Sequence, residues 1–346
     1  MLPALNPPFT ACLAVECNIP ECNSDVNDAI WFADLLAQPF TPGRQQQRVP
    51  TMNDSPAAAV ATPWLDSEYG ILQEVLLCAP TYYDWAASNA IVLNSLRSGM
   101  TVDRDAACRQ HAEMVAALEH SGVTCRYLNA DSALHYQTYT RDSSVMTPWG
   151  LLVCQLARPE RRGEWTSVLD FAQCTKTPVW KAVTAGSLEG GDVQVLRPGE
   201  LVIGVNEVRT QMRAAQQVAG WFEQEGWATR FVHVPEHFLH LDVLFSALDA
   251  KRALCAVDII DSADLAWLEQ RFELIPVGYK EVTRMGTNAV ALGQGRILSC
   301  RQHGVLNRRL EKLGYEVLEP DLEQFVIEGG AAHCLTMPLR RAPVDA

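Results

Sequence analysis

The sequence predicts an α/β domain of the propeller type, and three observations carry that prediction. A unit of two apolar strands joined by a tight turn and followed by a helix-period segment recurs along the chain. Units this small cannot bury their apolar faces alone, so closing ββαβ-type units about an axis is the economical packing. Polar residues of catalytic type also stand at one equivalent place, just before the first strand of each hairpin.

The repeats can be read in order. Four hairpins are plain: SVMTPWGLLVCQL from Ser144, VQVLRPGELVIGV from Val193, FSALDAKRALCAV from Phe245 and AVALGQGRILSC from Ala289. LQEVLLCAP at Leu72 opens a fifth unit, whose helix is predicted over 103–122. Apolar residues at helical spacing predict further helices over 208–226, 262–272 and 304–314, each ending at glycine or an aromatic residue.

Residues 1–62 differ in character, with Pro-rich ends, a polar run at 45–47 and an Ala/Pro-rich stretch from 56. They read as a largely irregular N-terminal extension to a single catalytic domain spanning 63–346. One short helix is expected in it over 23–38, capped by Ser24 and carrying Trp31, Leu35 and Leu36 on one face. Met52 would be a natural alternative start.

A chain of 346 residues with 48% apolar residues can bury a large core, which excludes disorder throughout. The formal charge of -13 and pI near 5.1 leave no basic footprint. Nucleic acid and membrane are therefore not expected partners, and a cationic small molecule is favoured. With no apolar run long enough to span a bilayer and no signal-peptide pattern, the expected location is cytoplasmic. The 11 cysteines lie mostly in apolar runs, as Cys78, Cys154, Cys255 and Cys300 do, and read as reduced thiols rather than a disulfide framework. Cys12, Cys17 and Cys22 are evenly spaced but lack a C-x-x-C or a nearby His, so their spacing reads as coincidence rather than a metal site.

The residues before the hairpins are Arg141-Asp142, Glu189-Gly190-Gly191-Asp192, His240-Leu241-Asp242, Gly286-Thr287-Asn288 and Glu328 through Cys334. Each has an ordinary reading by itself: Cys334 beside Leu335 and Met337 as a small core hydrophobe, His240 as a satisfied turn residue, Asp142 as half of a surface ion pair. In a closed repeat they converge on one pocket. A guanidinium carbon is a poor electrophile, so attack on it needs a strong nucleophile, carboxylates that hold the planar cation, and an acid for the departing nitrogen. A thiol, several carboxylates and an imidazole meet those needs.

Five ordered motifs between Asp66 and Arg341, TRDSSVMTPWG, RPERRGE, LEGGDV, HLDVLF and EGGAAHCLTMPLRR, resemble the guanidino-group-modifying superfamily of arginine deiminases, dimethylarginine dimethylaminohydrolases, agmatine deiminases and amidinotransferases. The resemblance implies a five-bladed α/β-propeller, the pentein fold. It implies Cys334 as nucleophile, His240 as general acid and base, and Glu189 as its partner on the guanidinium. Asp142 and Asp242 would bind the guanidinium nitrogens, with Arg161 and Arg209 as clamps for an α-carboxylate. A small guanidino substrate is implied, with no metal or organic cofactor, and a homo-oligomer is left open.

Asp242 stands two positions after His240, where the dimethylarginine hydrolases are expected to have lysine, which favours arginine over its methylated forms. His333 is similar to the amidinotransferase pattern, whereas CLTMPL is similar to the deiminase ending. The expected function is hydrolysis of arginine or a close derivative to a ureido product through a thiouronium on Cys334. The alternatives are an amidinotransferase and a noncatalytic guanidino-binding protein.

Overall fold

Short runs of Val, Leu and Ile on either side of a turn residue favour buried hairpins. The computed structural model describes residues 65–85, 93 and 96–344. The first unit comprises β1 (Leu72–Leu77), α1 (Arg104–His120) and β2 (Thr124–Tyr127), with β2 parallel to β1. The second comprises β3 (Ser144–Thr147), β4 (Gly150–Val153), α2 (Glu164–Thr175) and β5 (Val179–Ala182). In the third are β6 (Val193–Arg197), β7 (Glu200–Val205), α3 (Met212–Gln224) and β8 (Ala228–His233). In the fourth are β9 (Phe245–Ala247), β10 (Arg252–Cys255), α4 (Ser262–Glu269) and β11 (Glu273–Pro276). The fifth has β12 (Val290–Gly293), β13 (Arg296–Leu298), α5 (Gly304–Lys312) and β14 (Glu316–Leu318).

In units two to five, the first two strands pair antiparallel and the third returns parallel to the second after its helix. Among the described residues, the first unit has no leading strand of its own. Its place is taken by β15 (Met337–Arg341), which pairs antiparallel with β1. The described residues therefore form five three-stranded sheets of one internal order, the first made from both ends of the domain. Arg341 secures this join: it is 1% exposed and donates through Nη1 to the carbonyls of Gly70 and Ala291, each at 2.7 Å.

Burial falls from the inner strands outward. Every residue of β3 and β4 is buried, whereas the returning strands β2 and β5 carry exposed or half-buried residues throughout. The inner strands thus read as near-continuous apolar runs and the outer ones do not.

The helices differ from the sequence prediction at their ends. Asp103 caps α1 by accepting the Ala106 N–H at 2.9 Å, as expected of a capping aspartate. α3 begins at Met212 rather than 208 because the Asn206 side chain accepts the N–H groups of Val208, Arg209 and Thr210, holding that stretch in a turn. α4 ends at Glu269 and α5 at Lys312, each two or three residues early. Helix α2 follows its hairpin as the repeat requires, though no range is assigned to it from the sequence. The expected helix over 23–38 lies outside the described residues. So do most of the expected extension and the Cys12, Cys17 and Cys22 trio.

No helix among the described residues is long and apolar enough to cross a membrane. Cys78, Cys154, Cys255 and Cys300 are buried and outside any disulfide, whereas Cys108 is disulfide-bonded, which departs from the expectation of reduced thiols. Cys108 is half-buried on α1 and does not lie in an apolar strand.

Each first strand of the middle units is entered by a short helical turn: Thr140–Ser143 before β3, Gly190–Asp192 before β6 and Leu241–Val243 before β9. The turn at Gly190–Asp192 packs against both others. Close approach explains one glycine here: a Cβ on Gly190 would lie 2.1 Å from the Arg141 carbonyl oxygen and 3.1 Å from that of Ser144. Backbone cannot retreat as a side chain can. Gly190→Ala is therefore expected to cost about 1–3 kcal/mol, read as a lower urea midpoint at unchanged slope; a midpoint equal to wild type would contradict this packing.

Candidate active site

The entering turns bring the predicted residues together. Asp142 lies in the turn before β3, Glu189 precedes the turn before β6, His240 and Asp242 sit at the turn before β9, and Cys334 lies just before β15. Arg161 ends the turn Pro159–Arg161, and Arg209 lies in the loop from β7 to α3. None of these seven side chains belongs to a residue more than 5% exposed. Asp142, Arg161, Arg209, His240 and Cys334 line one cleft with Tyr136, Tyr139, Leu239 and Glu328. Its empty space is about 380 Å³, counting the part open to solvent. Glu189 and Asp242 are both 0% exposed and meet the cleft residues His240 and Cys334 through their carboxylates.

His240 is held between carboxylates. Its Nε2 donates to Glu189 Oε2 at 2.7 Å, and its Nδ1 lies 3.6 Å from Asp142 Oδ1. Burial disfavours the charged ring, but Asp142, Glu189 and Asp192 outweigh it and raise the His240 pKa to about 10. Glu189 also accepts the Ala157 N–H at 3.0 Å and Arg209 Nη1 at 3.2 Å. Although burial pushes its carboxyl up, Arg209 and His240 bring its pKa well below the usual carboxylate range.

Backbone strain sets the approach of His240. Leu239 has φ 65° and ψ −68°, and the His240 N–H donates to the Phe238 carbonyl at 2.7 Å. These are the marks of the γ-turn of the rarer, strained hand, here at a non-glycine residue. Asn206 Nδ2 holds it by donating to the Leu239 carbonyl at 2.7 Å. On the other side, a Cβ on Gly191 would lie 2.9 Å from the His240 ring and 3.0 Å from Asp142 Oδ1.

Around Cys334, one carboxamide does most of the positioning. Asn288 Oδ1 accepts the Ala331 and Cys334 N–H groups, each at 3.1 Å, while its Nδ2 donates to Cys334 Sγ at 3.1 Å. Sγ lies 3.4 Å from Asp242 Oδ2, which is also 2.8 Å from His333 Nδ1. Burial and the charges of Asp242 and Asp142 push the thiol well up, against the hydrogen bonds from the Ala331 backbone and Asn288.

The two arginines differ in their commitments. Arg161 gives Nε and Nη2 to the two oxygens of Glu164, each at 2.8 Å, and Nη1 to Asp142 Oδ2 at 2.7 Å. Those bonds occupy its planar fork. Arg209 uses Nη1 on Glu189. The neighbouring Arg162 is exposed and donates to the Ala157 carbonyl at 3.2 Å.

Sequence reasoning gave no role to Asn288, Glu164, Glu68 or Glu328. Asn288 falls at the equivalent place in the fifth unit, and Glu164 stands one helical turn after Arg161, so both carried a signal. Glu68 carried none, because its partners Arg141 and His333 are remote in sequence. Asp142, Glu189 and His240 present ligand-type atoms within 4.8 Å of one another. Arg161 and Arg209 already answer the charge of these carboxylates, which argues against a resident cation there.

Comparison with known proteins is consistent with this geometry. The family model of eukaryotic N,N dimethylarginine dimethylhydrolase matches residues 82–341. The uncharacterized protein YkgA of Bacillus subtilis (strain 168) is 30% identical over 280 residues, covering 80% of this chain and 94% of its own. An arginine deiminase of Rhodococcus erythropolis is 25% identical over 289 residues, covering 72% of this chain and 69% of its own. Among solved structures, the N-terminal domain of ArgZ, an arginine dihydrolase from the ornithine-ammonia cycle in Cyanobacteria, superposes with a TM-score of 0.68 at 19% identity, covering 78% of this chain and 98% of that one.

Two expectations follow from the geometry. Gly191→Ala crowds movable side chains rather than backbone, so it should lower kcat/KM by about 10²-fold through displacement of His240, with a smaller loss of melting temperature than Gly190→Ala shows; equal activity would remove the close approach from the account. The pKa shifts also fix the pH dependence of stability. Because the His240 pKa is raised from 6.5 to about 10, its pairing stabilises the fold fully below about pH 6.5 and is lost as pH rises towards 10. The depressed Glu189 contributes above about pH 4.5 and loses its share in acid. The urea midpoint should therefore fall between about pH 7 and 10 in wild type and fall less steeply in His240→Gln; parallel profiles would rule out this pairing as the source.

Proposed function

The chain belongs to the N,N-dimethylarginine dimethylhydrolase family of guanidino-group-modifying enzymes, and on that premise we propose that it hydrolyses the guanidino group of arginine or a close derivative through a covalent adduct on Cys334. The observation that carries the reading is the cleft in which a buried thiol, a carboxylate-held imidazole and several carboxylates meet. The five sheets are taken as blades of one closed propeller, supported by their common strand order and by the pairing of β15 with β1.

A guanidinium entering this cleft brings the positive charge that Asp142 and Asp242 lack beside the thiol. Its arrival lowers the cost of ionising Cys334, so substrate binding and nucleophile activation are coupled. The thiolate adds to the guanidinium carbon, and the tetrahedral adduct collapses with loss of ammonia or an amine, which takes its proton from His240. His240 then accepts a proton from water as the water attacks the thiouronium carbon. Breaking the C–S bond releases the ureido product and restores the thiol.

Arg209 is assigned to a substrate carboxylate, since it faces the cleft with one donor engaged on Glu189. Arg161 is assigned to holding Asp142, since Glu164 and Asp142 take its fork. Asp242 favours an unsubstituted guanidinium, whose N–H groups can all be paired. Relatives in which the fold is allied to arginine deiminase or dimethylarginine hydrolysis support water over an amine as the acceptor.

Incubation with arginine alone should give a ureido product and ammonia by mass spectrometry, with a transient adduct on Cys334. Cys334→Ser should lower turnover by about 10³-fold or more. Ornithine and a new guanidino compound formed only when glycine is added would replace hydrolysis with amidino transfer, and undiminished turnover by Cys334→Ser would end the covalent reading.

A further inference from the structure

His333 is buried in the site yet has no role in the reaction as derived. It is 3% exposed. Its ring bridges two carboxylates: Nδ1 lies 2.8 Å from Asp242 Oδ2, and Nε2 lies 3.6 Å from Glu68 Oε2. Glu68 is anchored in turn, 3.7 Å from the buried Arg141. Burial opposes its charge, but Arg141, His333 and Arg341 bring its pKa down to about 2. The backbone of His333 is also fixed, its N–H donating to the Asn288 carbonyl at 3.3 Å.

Asp242 is the carboxylate against the nucleophile, its Oδ2 3.4 Å from Cys334 Sγ. The other oxygen, Oδ1, is buried and has no hydrogen-bond partner among the described residues. A buried carboxylate oxygen without a donor is costly unless a ligand supplies one. The two oxygens are thus divided: Oδ2 meets both the imidazole and the thiol, and Oδ1 is left without a donor.

We propose that His333 is a positioning residue that clamps Asp242 through Nδ1–H so that Oδ1 stays open to the substrate cation, with Glu68 fixing the ring from behind. The inference rests on the functional reading, which identifies that cation as a guanidinium. An Asp242 freed from His333 could turn either oxygen towards the Asn288 amide or the thiol and lose its hold on the planar cation. The same N–H draws charge from the carboxylate, easing repulsion of a thiolate formed 3.4 Å away.

The test separates the two ends of the ring. Asn at 333 can place an amide nitrogen where Nδ1 stands and keep the bond to Asp242, whereas Gln places it where Nε2 stands and keeps only the Glu68 side. For each protein, the rate of Cys334 alkylation is measured with 2-chloroacetamidine, a cationic amidine, and with neutral iodoacetamide, and thermal melting checks the fold. Wild type should prefer the amidine; His333→Gln should lose about tenfold or more of that preference, and His333→Asn should keep it within about threefold. Should His333→Gln fail to fold, Glu68→Gln, which loosens the ring from behind, is expected to lower the preference by a smaller factor, and an unchanged preference counts against the clamp.

Equal preference in wild type and both His333 variants would overturn the inference alone, as would an equal loss in both, which would assign the effect to ring packing. A wild type that does not prefer the cation, together with no ureido product from arginine, would overturn the functional reading and this inference with it.

Discussion

Glu189 is fully buried, and the site is organised around the need to satisfy it. Its two oxygens receive a backbone N–H from Ala157, a guanidinium from Arg209 and the imidazole of His240. Those three donors come from the chain after β4, the loop after β7 and the turn before β9, so one carboxylate draws three units to a common point. An unmet charge at that depth would cost several kcal/mol. The same requirement runs outward: Asp142 is met by Arg161, Arg161 by Glu164, and Asp242 by His333.

That compensation is incomplete where the ligand belongs. Asp142 Oδ1 and Asp242 Oδ1 both lack a hydrogen-bond partner, and the Cys334 thiol is held neutral by burial and by these carboxylates. On the proposed function, a planar cation would bring the donors these two oxygens lack and ease ionisation of the thiol in the same event.

What was legible in the sequence follows from burial. The hairpins were plain because their strands are buried and read as apolar runs, whereas β2, β5 and β14 are short, exposed or half-buried, and leave no such run. Cys334, His240, Glu189, Asp142 and Asp242 could be singled out because they recur at one place in the repeat, and the structure brings all five into one buried cluster. Side chains that act on other side chains were harder to find. Asn288 and Glu164 sat within motifs already noted, but nothing local distinguished Glu68, whose value lies in a contact with His333 on the far side of the chain. Arg161 was legible as a site residue but not as one already engaged, since sequence shows the donor and hides its acceptors.

The join of β15 to β1 bears on how the protein is made. Synthesis delivers the chain from its N-terminus, and a partial chain can assemble the returning strands and most of the carboxylate cluster before β15 exists. Cys334 lies just before that strand, and its backbone N–H donates to Asn288 Oδ1. The reactive sulfur is thus seated only as the first sheet receives its missing strand. On the proposed chemistry, a nascent chain that has not yet delivered β15 holds Asp142, Glu189 and Asp242 without a seated Cys334, so it could bind before it could react.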